Sequence, residues 1–256
     1  MRYGMRAAMA LALCCAASGV GAQSDTAKAF GARERVWGVK LSPDGLHYLA
    51  LVAMKGVATS VVVGDVATGT IQRVTASNGA PERLTDCQWA NSSRLVCGIA
   101  IAKRDGRQLL GFSRLIAIDA DGKNIKLLTA RTSDDASGPM QNGGRVIDWF
   151  GNETGSTILM TRQFVPDGSG GSANSLHGFG VERVDPVTMR RTTFERPRLE
   201  AEEYISDGRG TVRIMGTRPE DVVGYGKNRM IYTFRRKGAR DWMPLSIVTG
   251  DSQTRC

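Results

Sequence analysis

Beyond the first fifteen residues the chain has three cysteines, Cys87, Cys97 and Cys256. The first two lie in the stretch DCQWANSSRLVCGIAIAK at residues 86–103. Two thiols can be oxidised to a disulfide only where their β-carbons face each other at close range. The local pattern supplies that arrangement. Residues 87–90 and 94–101 are rich in β-branched and aromatic side chains, and Asn91-Ser92-Ser93 between them is a polar turn, which together signal a hairpin. A turn centred on Ser92 sets Cys87 opposite Cys97 and Trp89 opposite Leu95. The two-residue period then puts all four side chains on one face. A Cys87–Cys97 disulfide is the expected pair in an oxidising compartment, closing a short loop worth about 2–3 kcal/mol in the chain-entropy model. Two small buried thiols on neighbouring strands are the alternative. Cys256 is left odd.

Other chemistry-bearing residues form no recognisable constellation. His47 falls in a hairpin and His177 in a Gly/Ser-rich segment, and these are the chain's two histidines. Asp134-Asp135 and Asp119/Asp121 lack the spacing and distal Glu of a calcium loop. No Cys/His spacing fits zinc. The loop Asp167-Gly168-Ser169-Gly170-Gly171 lacks the Lys and following helix of a phosphate cradle. No metal, cofactor or catalytic residue is therefore assigned.

The N-terminus directs export. Arg2 and Arg6 precede an apolar run at 7–17, and Val20-Gly21-Ala22 is a small-residue cleavage site before Gln23. Residues 1–22 are read as a signal peptide cleaved between Ala22 and Gln23, giving a periplasmic or secreted protein. Lipid attachment at Cys14 is disfavoured because Leu13, not a small residue, precedes it. The run is too short to span a membrane, and no second one follows. Losing Arg2 and Arg6 lowers the net charge from +9 to +7. The remaining basic residues are scattered, so nucleic acid is not an expected partner. The densest cluster, Arg235-Arg236-Lys237 with Arg240, reads as a solvated turn around Gly238.

The elements that must position these residues are short strands. Gly is abundant, 31 residues, and sits mostly between apolar runs. No long amphipathic helix is apparent. The chain divides after a linker at 23–35 into four similar units, at about 36–75, 86–130, 146–194 and 203–246, with an unstructured tail at 247–256. The first holds Ser42-Pro43-Asp44-Gly45 as a type I turn between two strands. Its third strand ends at Asp65 before Ala67-Thr68-Gly69. Trp149 lies 60 residues after Trp89, at the same place in its unit. Segments 76–85 and 131–145 join units, and 166–178 is an excursion within the third. Four-stranded units repeated in this way predict an all-β fold, a partial β-propeller of about four blades of four antiparallel strands.

Ser42-Pro43-Asp44-Gly45, Trp89 with Arg94-Leu95-Val96, and Ile116-Ala117-Ile118-Asp119-Ala120-Asp121-Gly122 resemble the N-terminal propeller of bacterial prolyl-oligopeptidase-family serine peptidases. TolB-like propellers share the first motif. The resemblance covers most of residues 30–246. It implies an exported protein whose propeller covers a hydrolase active site and restricts access to peptides. The hydrolase residues themselves have no counterpart here. The nucleophile elbow Gly-x-Ser-x-Gly does not occur; Gly111-Phe112-Ser113-Arg114-Leu115 comes nearest, with Leu115 where Gly is needed. Neither His has a triad setting. Glu202-Glu203 resembles the acidic pair that holds a substrate amine in dipeptidyl-peptidase relatives, but adjacent strand residues point to opposite faces.

The expected function is thus the substrate-gating propeller portion of such a peptidase, a truncated product without its own activity. The alternative is a stand-alone TolB-like module binding a protein or peptides. Four blades taken from a larger propeller would also leave open apolar faces and self-associate. Mass spectrometry of the non-reduced exported protein should give Gln23 as first residue and one Cys87–Cys97-linked peptide. A retained Met1, or two free thiols, would contradict the export and pairing assignments respectively.

Overall fold

The computed structural model describes residues 29–129, 140–149, 157–165, 177–220 and 228–250. The signal-peptide boundary at Ala22 and Gln23, most of the excursion at 166–178, the acidic pair Asp134-Asp135 and Cys256 lie outside the described residues. The chain falls into two units, Met1–Glu34 and Arg35–Cys256. In the first, the described residues include a turn in which the Ala32 amide donates to the Ala29 carbonyl.

The second unit consists of four antiparallel four-stranded sheets, each a simple meander. Blade 1 is β1 (Val36–Leu41), β2 (His47–Ala53), β3 (Thr59–Asp65) and β4 (Ile71–Ser77). Blade 2 is β5 (Glu82–Asn91), β6 (Arg94–Asp105), β7 (Gln108–Asp119) and β8 (Lys126–Leu127). Blade 3 is β9 (Val146–Asp148), β10 (Ile158–Phe164), β11 (Gly178–Val184) and β12 (Arg191–Arg198). Blade 4 is β13 (Ala201–Ser206), β14 (Val212–Thr217), β15 (Arg229–Phe234) and β16 (Met243–Thr249). The fold is a partial β-propeller.

Several boundaries differ from the sequence reading. The join expected at 76–85 is mostly strand: β4 runs to Ser77 and β5 starts at Glu82. Apart from Leu84, which is buried in the core with blade 1, the strand residues here are mostly polar and exposed, and they pair through their backbone. β16 continues to Thr249, beyond the boundary expected at 246, because Ile247 and Val248 pair with Ile231 and Met230. The tail assigned from 247 therefore begins too early.

Alternation explains the stacking. In β10 the side chains of Ile158 and Met160 join Ala90, Val96, Ala117 and Leu128 of blade 2. The intervening Leu159 joins Val181, Ala201, Tyr204, Val212 and Met215 in the core shared with blade 4. Blades 1 and 2 meet through Leu49, Leu51, Val61 and Val63 against Cys87, Trp89, Leu95, Cys97 and Ile118. Middle blades are thus apolar on both faces, as strands covered on both sides must be. Burial pushes the Tyr204 phenol up to about 12, and its hydroxyl donates to the Phe179 carbonyl at 3.2 Å.

Polar bonds pin each blade to the next. The Trp89 indole donates to the Lys40 carbonyl at 3.0 Å. Ser206 Oγ donates to the Ile147 carbonyl at 2.6 Å, and the Gly210 amide to Asp148 at 2.8 Å. The largest fully buried side chain is that of Arg94. It reaches Asp119 at 2.6 Å and the Asn124 carbonyl at 2.8 Å within blade 2. Its Nε donates across the interface to the Pro186 carbonyl of blade 3 at 3.0 Å. Removing a buried charge and stranding its acceptors is costly. Arg94→Ala should lower stability by about 3 kcal/mol, read as a lower urea midpoint. Exposed Arg145→Ala should stay within about 0.5 kcal/mol; equal effects would dismiss Arg94 as the pin.

Candidate functional site: the cleft between blades 2 and 3

The residues singled out from sequence do not converge. Cys87 and Cys97 are directly opposite in the β5–β6 ladder, as are Trp89 and Leu95. The cysteines are joined by an S–S bond of 2.02 Å, with Cα atoms 4.1 Å apart. Both are buried between blades 1 and 2, so the disulfide acts as a core brace. The expected parting of Glu202 and Glu203 to opposite faces does not hold. The β13–β14 register shifts between Ala201 and Glu203, and both carboxylates push the Tyr232 phenol up, Glu203 first through its hydrogen bond and Glu202 through its charge. Glu202 forms a bidentate pair with Arg218 at 2.6 and 3.1 Å. Glu203 accepts from the Tyr232 hydroxyl at 3.1 Å. Gly111-Phe112-Ser113-Arg114-Leu115 lies in the middle of β7, fully extended and paired with residues 98–102 of β6. No elbow forms there.

His47 has a carboxylate neighbour that sequence inspection passed over: Nε2 stands 3.8 Å from Asp65 Oδ2. The Asp65 carboxyl is held below the usual carboxylate range, first by the Thr68 amide and then by its hydroxyl. The nearby Ser42 cannot serve as a nucleophile for this pair. Its hydroxyl donates to Asp44 at 2.6 Å and accepts the His47 amide at 2.9 Å. The cluster locks a turn.

An open site exists elsewhere. Strands β5, β6 and β7 have 10, 12 and 12 residues, whereas the facing inner strand β9 has 3. Blade 2 therefore overhangs blade 3. Two adjoining cavities of 600 and 330 Å³ occupy the overhang and share Ala100 and Ser113. Their floor is built from small residues, Gly98, Ala100, Ala102, Gly111 and Ser113. Register explains this: Ala102 faces Gly111, Ala100 faces Ser113 and Gly98 faces Leu115, on the same side as Val96 and Ala117, which pack on blade 3. A Cβ at Gly98 would come within 2.6 Å of Thr85 Oγ1, so Gly98 lets β5 and β6 close up.

The walls are mixed: Pro81, Ile101 and Phe112 line the larger cavity and Ile99, Leu115 and the acid Asp86 the smaller, alongside polar and basic residues. Arg83, Gln141 and Asn142 border the larger cavity, and Gln88, Arg114, Arg145 and Trp149 the smaller. Ser113 ties the 141–144 segment at two points: its amide donates to the Gln141 carbonyl at 2.8 Å, and its Oγ accepts the Gly143 amide at 2.9 Å. Arg114 donates to the Ser113 and Gln141 carbonyls at 2.6 and 3.3 Å. Gln88 Oε1 is buried without a hydrogen-bond partner. A buried carbonyl with a free lone pair, arginines and one indole suit a peptide: an N–H donor, a carboxylate and an apolar side chain. Sequence inspection placed Trp149 and Gln88 in strands but missed the cleft. The Asp105-Gly106 dipeptide, a strong short-hairpin signal, would have revealed the long β6–β7 ribbon that forms it.

No protein-family model matches the chain, and no curated protein matches it. Among solved structures, an oligogalacturonate lyase in complex with manganese is 11% identical with a TM-score of 0.46, over 88% of this chain and 57% of that one. TolB from Acinetobacter baumannii is 16% identical with a TM-score of 0.37, over 86% and 42%. The acylaminoacyl peptidase of Pyrococcus horikoshii is 12% identical with a TM-score of 0.43, over 80% and 36%. The chain spans less than two thirds of each of these structures. The likeness is one of fold. Among the described residues no three His, Cys, Asp or Glu side chains gather as metal ligands, and no helix is long and apolar enough to cross a membrane.

An acceptor left unpaired in a partly closed site costs stability. Gln88→Met, similar in length and apolar, should raise stability by about 1 kcal/mol in urea unfolding. A loss of that size would show that Gln88 is structurally satisfied.

Proposed function

We propose that this chain is a non-catalytic propeller segment that binds extended peptides. In the terms set by its resemblance, it is the substrate-gating portion of a prolyl-oligopeptidase-like serine peptidase, exported through cleavage after Ala22. The observation that carries the binding reading is the blade 2–3 cleft. It combines small residues in the floor, walls that mix Arg83, Arg114 and Arg145 with apolar side chains and Asp86, and the unpartnered acceptor Gln88 Oε1. Such a site can align a peptide by its backbone while leaving bond cleavage to residues elsewhere. Hydrolysis of an amide needs an activated nucleophile and donors for the developing oxyanion. The motif residues that might have supplied them, Ser113 and His47, are occupied in a strand and a turn.

The reading also covers the open ends of the array. Val36, Val39 and Leu41 on β1, and Leu245, Ile247 and Val248 on β16, are exposed apolar residues. In a gating propeller these are surfaces for further blades, and the chain alone would self-associate through them.

Two measurements test the assignment. The purified chain should release no chromophore from proline- or alanine-linked chromogenic peptides and should not react with a fluorophosphonate. Turnover blocked by that reagent would overturn the non-catalytic reading. In the native host, an antiserum against residues 36–249 should detect an exported species of the chain that does not react with the fluorophosphonate. Stable co-purification of that species with a protein partner would replace gating by the TolB-like binding role.

A further inference from the structure

Among the described residues, part of the outward backbone edge of the β6–β7 ribbon is unpaired. The Ala102 amide donates to the Pro81 carbonyl, away from β7. Ala102 and its partner Gly111 therefore form a pair that is not hydrogen-bonded to each other, and the N–H and C=O of Gly111 point outward. The same parity turns Leu109 and Ser113 outward, and the Ser113 amide does reach the Gln141 carbonyl. Farther along, β8 pairs only with Ile116 and Ala117. Among the described residues nothing pairs with the outward groups of Leu109 or Gly111. Leu109 is 70% exposed.

We propose that the outward edge of β7 at Leu109 and Gly111 is a docking strand for an extended acidic peptide, which adds to blade 2 as a further strand and drops alternate side chains into the cleft. This deepens the peptide-binding reading and rests on it. Four backbone groups on two alternate residues, without a partner among the described residues, match the ladder of an added strand. Side chains of that strand on the blade 3 side would lie over Gly111, Ala102 and Ala100, which line the larger cavity. Arg83, opposite Ala100, borders that cavity, and Arg104, opposite Leu109, shares the face. Lys103, Arg107 and Arg114 belong to the same ribbon, against the acids Glu82, Asp86 and Asp105, of which Asp86 is already paired with Lys40 at 2.7 Å. This balance favours carboxylates in the occupant. It also disfavours a second copy of this chain pairing edge to edge, since two basic ribbons would be brought together; charged edges are a common guard against that.

The probe is a fluorescein-labelled peptide alternating glutamate and valine, titrated by anisotropy into the intact chain, with a lysine–valine peptide as comparison. Expected results are saturable binding of the acidic peptide only, weakening with salt. Gly111→Pro removes one outward N–H without breaking a ladder bond, and its Cβ position is open. It should weaken binding at least about tenfold, a loss of about 1.4 kcal/mol. Arg83→Glu combined with Arg104→Glu should do the same and decides the matter if the proline variant fails to fold. Binding unchanged in folded Gly111→Pro or in the double variant overturns the edge site while leaving peptide binding in place. Equal binding of the lysine peptide overturns the acidic specificity. No binding of either peptide overturns both the edge and the peptide-binding function.

Discussion

A four-stranded antiparallel sheet with apolar residues on both faces cannot stay folded in water alone. Each blade here is stable because a neighbour covers it. β10 shows the constraint most directly: Ile158 and Met160 serve one interface, Leu159 the other. The cores are not one hydrophobic interior but three separate seams, each shared by consecutive blades. Stability in such an array is a sum of blade and seam terms. A seam lost therefore exposes two faces, and the polar pins that cross seams matter more than their number suggests. Arg94 is the extreme case, a fully buried guanidinium that ties two turns of blade 2 to a turn of blade 3.

Much of this was legible in the sequence, for a physical reason. Seams are built from alternating apolar residues, and alternation survives in a one-dimensional reading. Cys87 opposite Cys97 and Trp89 opposite Leu95 followed from a turn centre and a period of two, and the ladder has that register. The number of blades followed from recurring hairpins and Asp-led turns. Strand ends were less legible. Residues such as Glu82 and Arg83 pair through backbone alone, and β8 has only Lys126 and Leu127. Their side chains face water, so no hydrophobic pattern marks them.

The candidate site was nearly invisible for the same reason. Its floor is made by small residues, which leave room rather than fill it, and an absence of bulk carries no periodic signal. Gly98, Ala100 and Ala102 read as unremarkable strand positions. The motif that drew attention, Gly111-Phe112-Ser113-Arg114-Leu115, was weighed as failed catalytic machinery. Its use in the fold is different: Gly111 and Ser113 present backbone outward along β7, and Arg114 caps the point where pairing with Gln141 ends.

The mismatch in strand length connects fold to function. Had β9 matched the 10 residues of β5, it would have packed on Gly98, Ala100 and Ala102, and the seam would have closed. With 3 residues, β9 reaches only far enough to bury Asp148, which is 2% exposed and accepts the Gly210 amide. Beyond it, among the described residues, no strand of blade 3 covers Gly98, Ala100 and Ala102, and these positions carry no large apolar side chain. An overhang covered throughout by Leu or Phe would be a sticky surface; here Gly98, Ala100, Ala102 and Gly111 interrupt the apolar lining of Ile99, Ile101, Phe112 and Leu115 and allow close approach to the backbone. The small residues that break up the apolar surface are thus the ones that make room for an extended chain.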